Sequence, residues 1–230
     1  MKNLIIIGLG STAKIVNAFV SKNKLYNVLG FAVNKSYRTC NEFCDKPVYC
    51  IEELETIIDK ENDFLFVAIL WNNLNADRKA VYSKLKADGY KFANIVSPHA
   101  IINGTIKGEN CWVADTAIVE FGSIVGNNVI IKAGAMIGTN CIIEDHSFIG
   151  AKSTIGGAST IKEQSFIGLG AVIFDEVKVG KKCIVGAATA LKRNLNDYTL
   201  YKTSSNIYFT EEYDETIIEQ KLQFKKNIRK

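Results

Sequence analysis

Two histidines stand in the sequence, His99 and His146, and histidine is the side chain whose ordinary pKa makes it a usable base near neutral pH. His146 lies in Ile143-Glu144-Asp145-His146-Ser147-Phe148. Asp145 or Glu144 is placed to fix the imidazole tautomer and raise its basicity, as in other pairs of base and orienting acid. The chemistry implied is removal of a proton from an attacking nucleophile. Gly150, Gly168 and Gly186 recur at a fixed interval, so a narrow ligand can approach the backbone along them. Lys192 and Arg193 follow and suit phosphates. Near the N-terminus, Gly8-Leu9-Gly10-Ser11-Thr12-Ala13 offers free N–H groups and a helix dipole to an anion. Asn34 and Lys35 end the next strand, and an NAD site would usually carry an acid there. A dehydrogenase is therefore the poorer reading. The six cysteines form no CxxC pair and no zinc spacing. They read as reduced thiols, and no metal is expected.

The elements that position His146 and the later glycines follow from a repeat. Stepping by six from Ile101, the chain reads Ile101, Lys107, Val113, Val119, Val125, Ile131 and onward to Leu191, and Lys107 alone interrupts the aliphatic column. Four residues after each stands a small or modest side chain, such as Cys111, Ala117, Ser147, Ser165 or Cys183. One β-branched and one small inward residue per hexad describe a triangular prism of short parallel strands, a left-handed β-helix of five coils over residues 101–190. Three hexads make one coil, so Asn128 and Gln164 stack on either side of His146, while Asn127 and Glu163 flank Asp145. The spacing excludes an amphipathic helix. It places His146 at an outward corner, and outward positions in general read as irregular and charged, which favours an enzyme over a passive rod.

The first hundred residues alternate strand and helix. Leu4–Ile7 is a buried strand, followed by a helix with Ile15, Val16, Phe19 and Val20, then the strand Val28–Val33. A helix over 51–58, a strand over 64–70, a helix from about Ala76 to Ala87 and a last strand over 92–96 complete a small doubly wound α/β sheet. Ser97-Pro98 closes it. The expected division is 1–97 for this Rossmann-like domain, 98–194 for the prism and 195–230 for a tail with an amphipathic helix from near Glu211. That helix ends in the basic run Lys221, Lys225, Lys226, Arg229 and Lys230, read as a solvated helix end. A net charge of +4 suits an anionic small ligand but lacks a nucleic-acid face. With neither a membrane span nor a signal peptide, the expected location is the cytoplasm.

These halves in this order resemble the sugar O-acyltransferase family, which includes sialic acid O-acetyltransferases and N-acetyltransferases of nucleotide-linked aminosugars. The resemblance rests on Ile5-Ile6-Ile7-Gly8-Leu9-Gly10, Pro47-Val48-Tyr49 with Glu52-Glu53-Leu54, the stretch from Val67 to Arg78, Gly89-Tyr90-Lys91-Phe92, Ser97-Pro98 and the hexads. It implies an acetyl-CoA-dependent transferase whose first domain holds the nucleotide-sugar, and the residues read above for that site are Gly8, Gly10, Ser11 and Thr12, with Asn34 and Lys35 near the ribose or base. It implies a homotrimer with CoA between neighbouring prisms, and for that CoA the coil spacing offers Gly150, Gly168 and Gly186, with Lys192 and Arg193 just past the last coil. It also matches His146 to the base. N-acetylation of a 4-amino-6-deoxysugar is the expected reaction, with O-acetylation of a hydroxyl and a non-catalytic scaffold as the alternatives.

Overall fold

The structure, a computed structural model, describes residues 1–204 and 207–212. Two compact units form, Met1–Leu70 with Ala80–Ile95, and Trp71–Lys79 with the described residues from Val96 on. Residues 71–79, read from sequence as part of the first domain, thus pack with the prism.

The first unit is a five-stranded sheet in the order β3-β4-β2-β1-β5, with β1 Asn3–Ile7, β2 Asn27–Val33, β3 Glu42–Phe43, β4 Lys46–Cys50 and β5 Phe64–Val67. Only β3 runs antiparallel to its neighbour. β1 is a nearly continuous apolar run because both its faces are covered, and Ile5 and Ile7 share a core with Leu54, Leu65 and Val67. Helix α1, Ser11–Lys22, buries Ala13, Val16 and Val20, one helical stripe. Helix α2 spans Ala76–Ala87. The helix expected over 51–58 is a 3₁₀ helix, Ile51–Thr56, with Ile57 N–H donating to Leu54 O. The strand expected at 92–96 does not extend this sheet. Phe92 makes one parallel bridge to Leu65, and Ile95–Val96 belongs to a wall of the prism.

The second unit is the left-handed parallel β-helix, with walls of six, five and eight strands. From Val113 to Leu191 every aliphatic residue of the sixfold column is buried, and so is every small residue from Cys111 to Thr189. Small size is half of their role. The thiols of Cys111 and Cys183 and the hydroxyls of Ser147 and Ser165 donate to the carbonyls of Gly126, Asn196, Lys162 and Gly180, which ties successive corners together.

The first coil departs from the expected register. Ile102 and Ile106 align with Val119 and Val125, so they face inward in place of Ile101 and Lys107. The first of these spans is one residue shorter than a coil and the second one longer, so the interruption at Lys107 is a slip of phase. The corner glycines are required by close stacking. A Cβ on Gly108 would lie 2.2 Å from the carbonyl of Gly126 in the next coil, so close stacking is what excludes a side chain there. The left-handed backbone falls elsewhere, on residues 110, 116, 122 and every sixth position to 188.

The expectation of charged outward positions is corrected as well. On the eight-stranded wall the outward column reads Trp112, Ile130, Phe148, Phe166, Ile184 and Leu200. Trp71 and Leu74 pack over it, with the Trp71 ring edge-on to Phe148 and Phe166. This wall continues through Thr199–Ser204, which pairs antiparallel with Ile207–Glu212. Glu211 therefore lies in a strand rather than opening a helix. The basic run at 221–230 lies outside the described residues. Among the described residues, no helix is long and apolar enough to cross a membrane.

Candidate functional site

The prism has three columns of left-handed corners, and one of them, Asn110, Asn128, His146, Gln164 and Lys182, is buried. His146 is 7% exposed, so the outward corner expected for it is corrected: the residue is a corner, but segment 71–79 covers that edge. Arg78, fully buried, donates from Nη2 to the carbonyls of Asn128 at 3.2 Å, His146 at 3.0 Å and Ser147 at 3.3 Å. Gln164 Nε2 donates to Leu74 O at 3.1 Å, and Lys79 pairs with Glu163 at 2.6 Å. The stacking of residues eighteen apart is as the hexads require. His146 Nδ1 lies 2.9 Å from Asn128 Nδ2, and Asp145 accepts from the backbone and side-chain nitrogens of Asn127. The acids expected to orient the imidazole are thus engaged with other groups. Asp145 holds Asn127, and Glu144 accepts from Glu163 N–H at 2.9 Å.

Burial, with Lys79 and Arg78 adding positive charge, pushes His146 down to about 4, against the opposing charges of Asp145 and Glu163. Burial also lowers Arg78 to about 9. Glu163 is raised by burial, but its hydrogen bond and charge pairing with Lys79 more than offset this and hold it below the usual carboxylate range. The sign of the pH effect follows. Because His146 titrates lower folded than unfolded, the unfolded chain binds more protons between pH 6.5 and 4, and stability falls as pH drops through that window. The expected loss is roughly 3 kcal/mol at full protonation. Denaturation midpoints at pH 7 and pH 4.5 measure it, and His146→Gln should flatten the dependence. An equal slope in the variant would assign it to other groups.

A groove of about 620 Å³ runs along the eight-stranded wall of the same unit. Gly150, Gly168 and Gly186 line it, three glycines that the hexad spacing had aligned, beside Ala151 and Ala187. Phe148 and Phe166, stacked at 4.9 Å with planes 6° apart, form its apolar side with Trp71. Lys132 and Lys202 bring charge to it, and the Lys132 ammonium rests 4.1 Å from the Trp112 ring centroid. Lys192 and Arg193 are not among the lining residues. They follow Ala190–Leu191 on the six-stranded wall, where Lys192 lies over Phe174. Phe148 was readable in principle, since it stands one coil from the outward Phe166, and so was Lys132, one coil from Gly150. Trp71 and Lys202 carried no such signal.

In the first unit, the chain crosses from one side of β1 to the other, so the carboxyl ends of β1 and β5 form a topological switch point, the usual ligand crevice of such sheets. Gly8 sits there with φ +123° and donates to Ala32 O, a conformation that requires glycine. Gly10 is different. It caps α1 with ordinary φ, no side-chain cap bond forms, and a Cβ there would meet open space. Ser11 and Thr12 open the helix. Asn34 caps the short 3₁₀ turn Lys35–Tyr37, and Lys35 N–H donates to Glu52. Lys35 also lines a separate hollow of about 410 Å³ with Arg38, Cys40 and Glu53. Lys14, over the Phe43 ring, and Arg38 are cations the sequence reading passed over, because neither lies in a motif.

Residues 122–157 match the family described as bacterial transferase hexapeptide (six repeats), and residues 160–193 match the hexapeptide repeat of succinyl-transferase. Both matched stretches lie within the second unit. No curated protein matches the chain by sequence. Among solved structures, the chain is similar to an H-to-N mutant of perosamine N-acetyltransferase from Caulobacter crescentus in complex with CoA and GDP-perosamine, at 24% identity and TM-score 0.80, covering 93% of this chain and 98% of that one. It is similar to the acetyltransferase domain of PglB from Neisseria gonorrhoeae FA1090, at 23% identity and TM-score 0.78, covering 91% and 100%. It is also similar to WeeI from Acinetobacter baumannii AYE, at 17% identity and TM-score 0.77, covering 91% and 100%. At these identities the likeness is one of fold, and it covers nearly the whole chain.

Proposed function

We propose that this protein transfers an acetyl group from acetyl-CoA to the amine of a nucleotide-linked aminosugar. The observation that carries the reading is the groove of the prism, where three stacked glycines offer bare backbone to a pantetheine arm beside an apolar wall of Phe148, Phe166 and Trp71. Lys132 and Lys202 suit the phosphates of the donor. The switch point of the first unit, with Gly8, Gly10, Ser11 and Thr12, suits the diphosphate of the acceptor. Solved proteins of the same fold carry CoA with GDP-perosamine, or acetyl coenzyme A. In the reaction, the neutral amine attacks the thioester carbonyl, the C–S bond breaks, and the amine proton leaves as the thiol is released. A groove that holds the reactants in place supplies much of the rate by proximity. An imidazole as buried as His146 is a poor base, which favours an amine, already carrying its lone pair, over a hydroxyl that must first be deprotonated.

Thiol release from acetyl-CoA, measured with nucleotide 4-aminosugars and with their hydroxyl counterparts, tests this. Release with the amines alone supports it. Release with the hydroxyl sugars alone would make the protein an O-acetyltransferase, and release with neither would leave a scaffold. The assembly we propose is a homotrimer, because Met136 and Val172 on one wall and Ile124 and Ile142 on another stand exposed as apolar faces. Light scattering should give three times the chain mass, and a fully active monomer would refute it.

Gly10→Asp separates folding from binding. Aspartate is a favoured N-cap residue, so helix α1 should be unchanged or slightly steadier. Its carboxylate, however, stands where a phosphate would approach. The expected result is an unchanged melting temperature with a Michaelis constant for the sugar nucleotide raised tenfold or more, a cost of about 1.4 kcal/mol per tenfold. An unchanged constant would remove the phosphate from this loop.

A further inference from the structure

The hydrogen bonds around Arg78 determine more than the packing of the covered corner. Its Nε donates to Asn128 Oδ1 at 3.1 Å, and Asn110 Nδ2 donates to the same oxygen at 2.7 Å. A guanidinium carries donors only, so the atom of the Asn128 side chain that faces it must be the amide oxygen. The amide nitrogen then faces His146 Nδ1, 2.9 Å away. An amide nitrogen donates and does not accept, so Nδ1 must present its lone pair.

We infer that Arg78, acting through the Asn128 amide, is a positioning residue that holds His146 as a neutral imidazole with its proton on Nε2, so that the ring presents a hydrogen-bond donor at that nitrogen rather than a base. Three observations converge on this. Asn110, Asn128 and Arg78 are all fully buried, so water does not compete freely for the amide. Arg78 is anchored independently of Asn128, through the His146 and Ser147 carbonyls and through Asn75 Oδ1 at 3.3 Å, so it cannot easily turn away. The charges bearing on the ring are Lys79 and Arg78, which oppose its protonation, and Asp145 and Glu163, which favour it. Burial decides between them for the neutral form. The second nitrogen of a histidine takes its role from the partner of the first. Here that partner is an amide held in one orientation, where an acid would have put the proton on Nδ1.

Imidazole ¹⁵N spectra of the labelled protein test this directly, since the chain has only two histidines to distinguish. The expected spectrum has one ring, identified as His146 by its loss in His146→Gln, with Nδ1 at the unprotonated position and Nε2 at the protonated one, unchanged from pH 8 to pH 5. Asn128→Asp should move the proton to Nδ1 and bring the His146 titration up into the window, because a carboxylate accepts where the amide donated. Arg78→Lys, which keeps the charge but loses the fork, should mix the two tautomers. A wild-type spectrum with the His146 proton on Nδ1, or with the His146 ring titrating near pH 6.5, would overturn the inference whatever the variants do. The spectrum does not depend on acetyl transfer, so a failure of the proposed reaction leaves it decisive.

Discussion

Arg78→Ala should cost the second unit about 3–5 kcal/mol, the range for removing one member of a buried charged network. The loss has an identifiable origin. At least five acceptors, the carbonyls of Asn128, His146 and Ser147 and the side-chain oxygens of Asn128 and Asn75, take hydrogen bonds from this one guanidinium inside the protein. Each buried acceptor left short of a donor costs about 1–3 kcal/mol, and relaxation around the vacated space recovers part of the sum. Arg78→Lys should fall between, since an ammonium reaches fewer of these acceptors than a planar fork does. Both tryptophans, Trp71 and Trp112, belong to the second unit, so fluorescence during urea unfolding follows that unit without interference from the first. The midpoint should drop at unchanged slope. A loss below about 1 kcal/mol, the level of a single ordinary hydrogen bond, would mean that water replaces the guanidinium at this corner and that segment 71–79 is held by its apolar contacts.

Ala187→Trp should abolish most acetyl-CoA binding while leaving the fold intact. Ala187 lines the groove but is exposed, so an indole there fills space a ligand would use without entering the core. A Michaelis constant for acetyl-CoA raised by roughly ten- to a hundredfold corresponds to about 1.4–2.8 kcal/mol. The neighbouring glycines make a less clean test. A Cβ on Gly168 would lie 2.5 Å from Ala187 N, and one on Gly150 2.6 Å from Gly168 C, so either substitution pushes stacked coils apart before any ligand is considered. The unfolding midpoint of Ala187→Trp should match the parent. If its kinetic constants match too, the donor lies elsewhere, and the groove loses its place in the proposed reaction.

Much of the prism was present in the sequence by itself. A hexad repeats one local rule, so each residue from Val113 to Leu191 announces its own side of the wall, and a fixed coil length aligns Asn128 with His146 and Gly150 with Gly168 before any fold is known. Where coil length varied, at Ile102 and Ile106, the rule misplaced the inward residue by one. Helix α2 was legible for a similar reason, because its pattern is local. What only the tertiary structure decided is which of three sequence-equivalent corners is covered. Residues 116, 134 and 152 occupy corners of the same left-handed kind as 110, 128 and 146, but they remain at least partly open to solvent. No hexad encodes that difference. It arises because Trp71, Leu74 and Arg78, a segment distant in the chain, bring apolar surface and a guanidinium to one edge of the prism, turning an expected surface base into a buried imidazole with a low pKa. Burial and partner choice are properties of the far side of a contact, and a residue's own neighbours in the chain do not carry them.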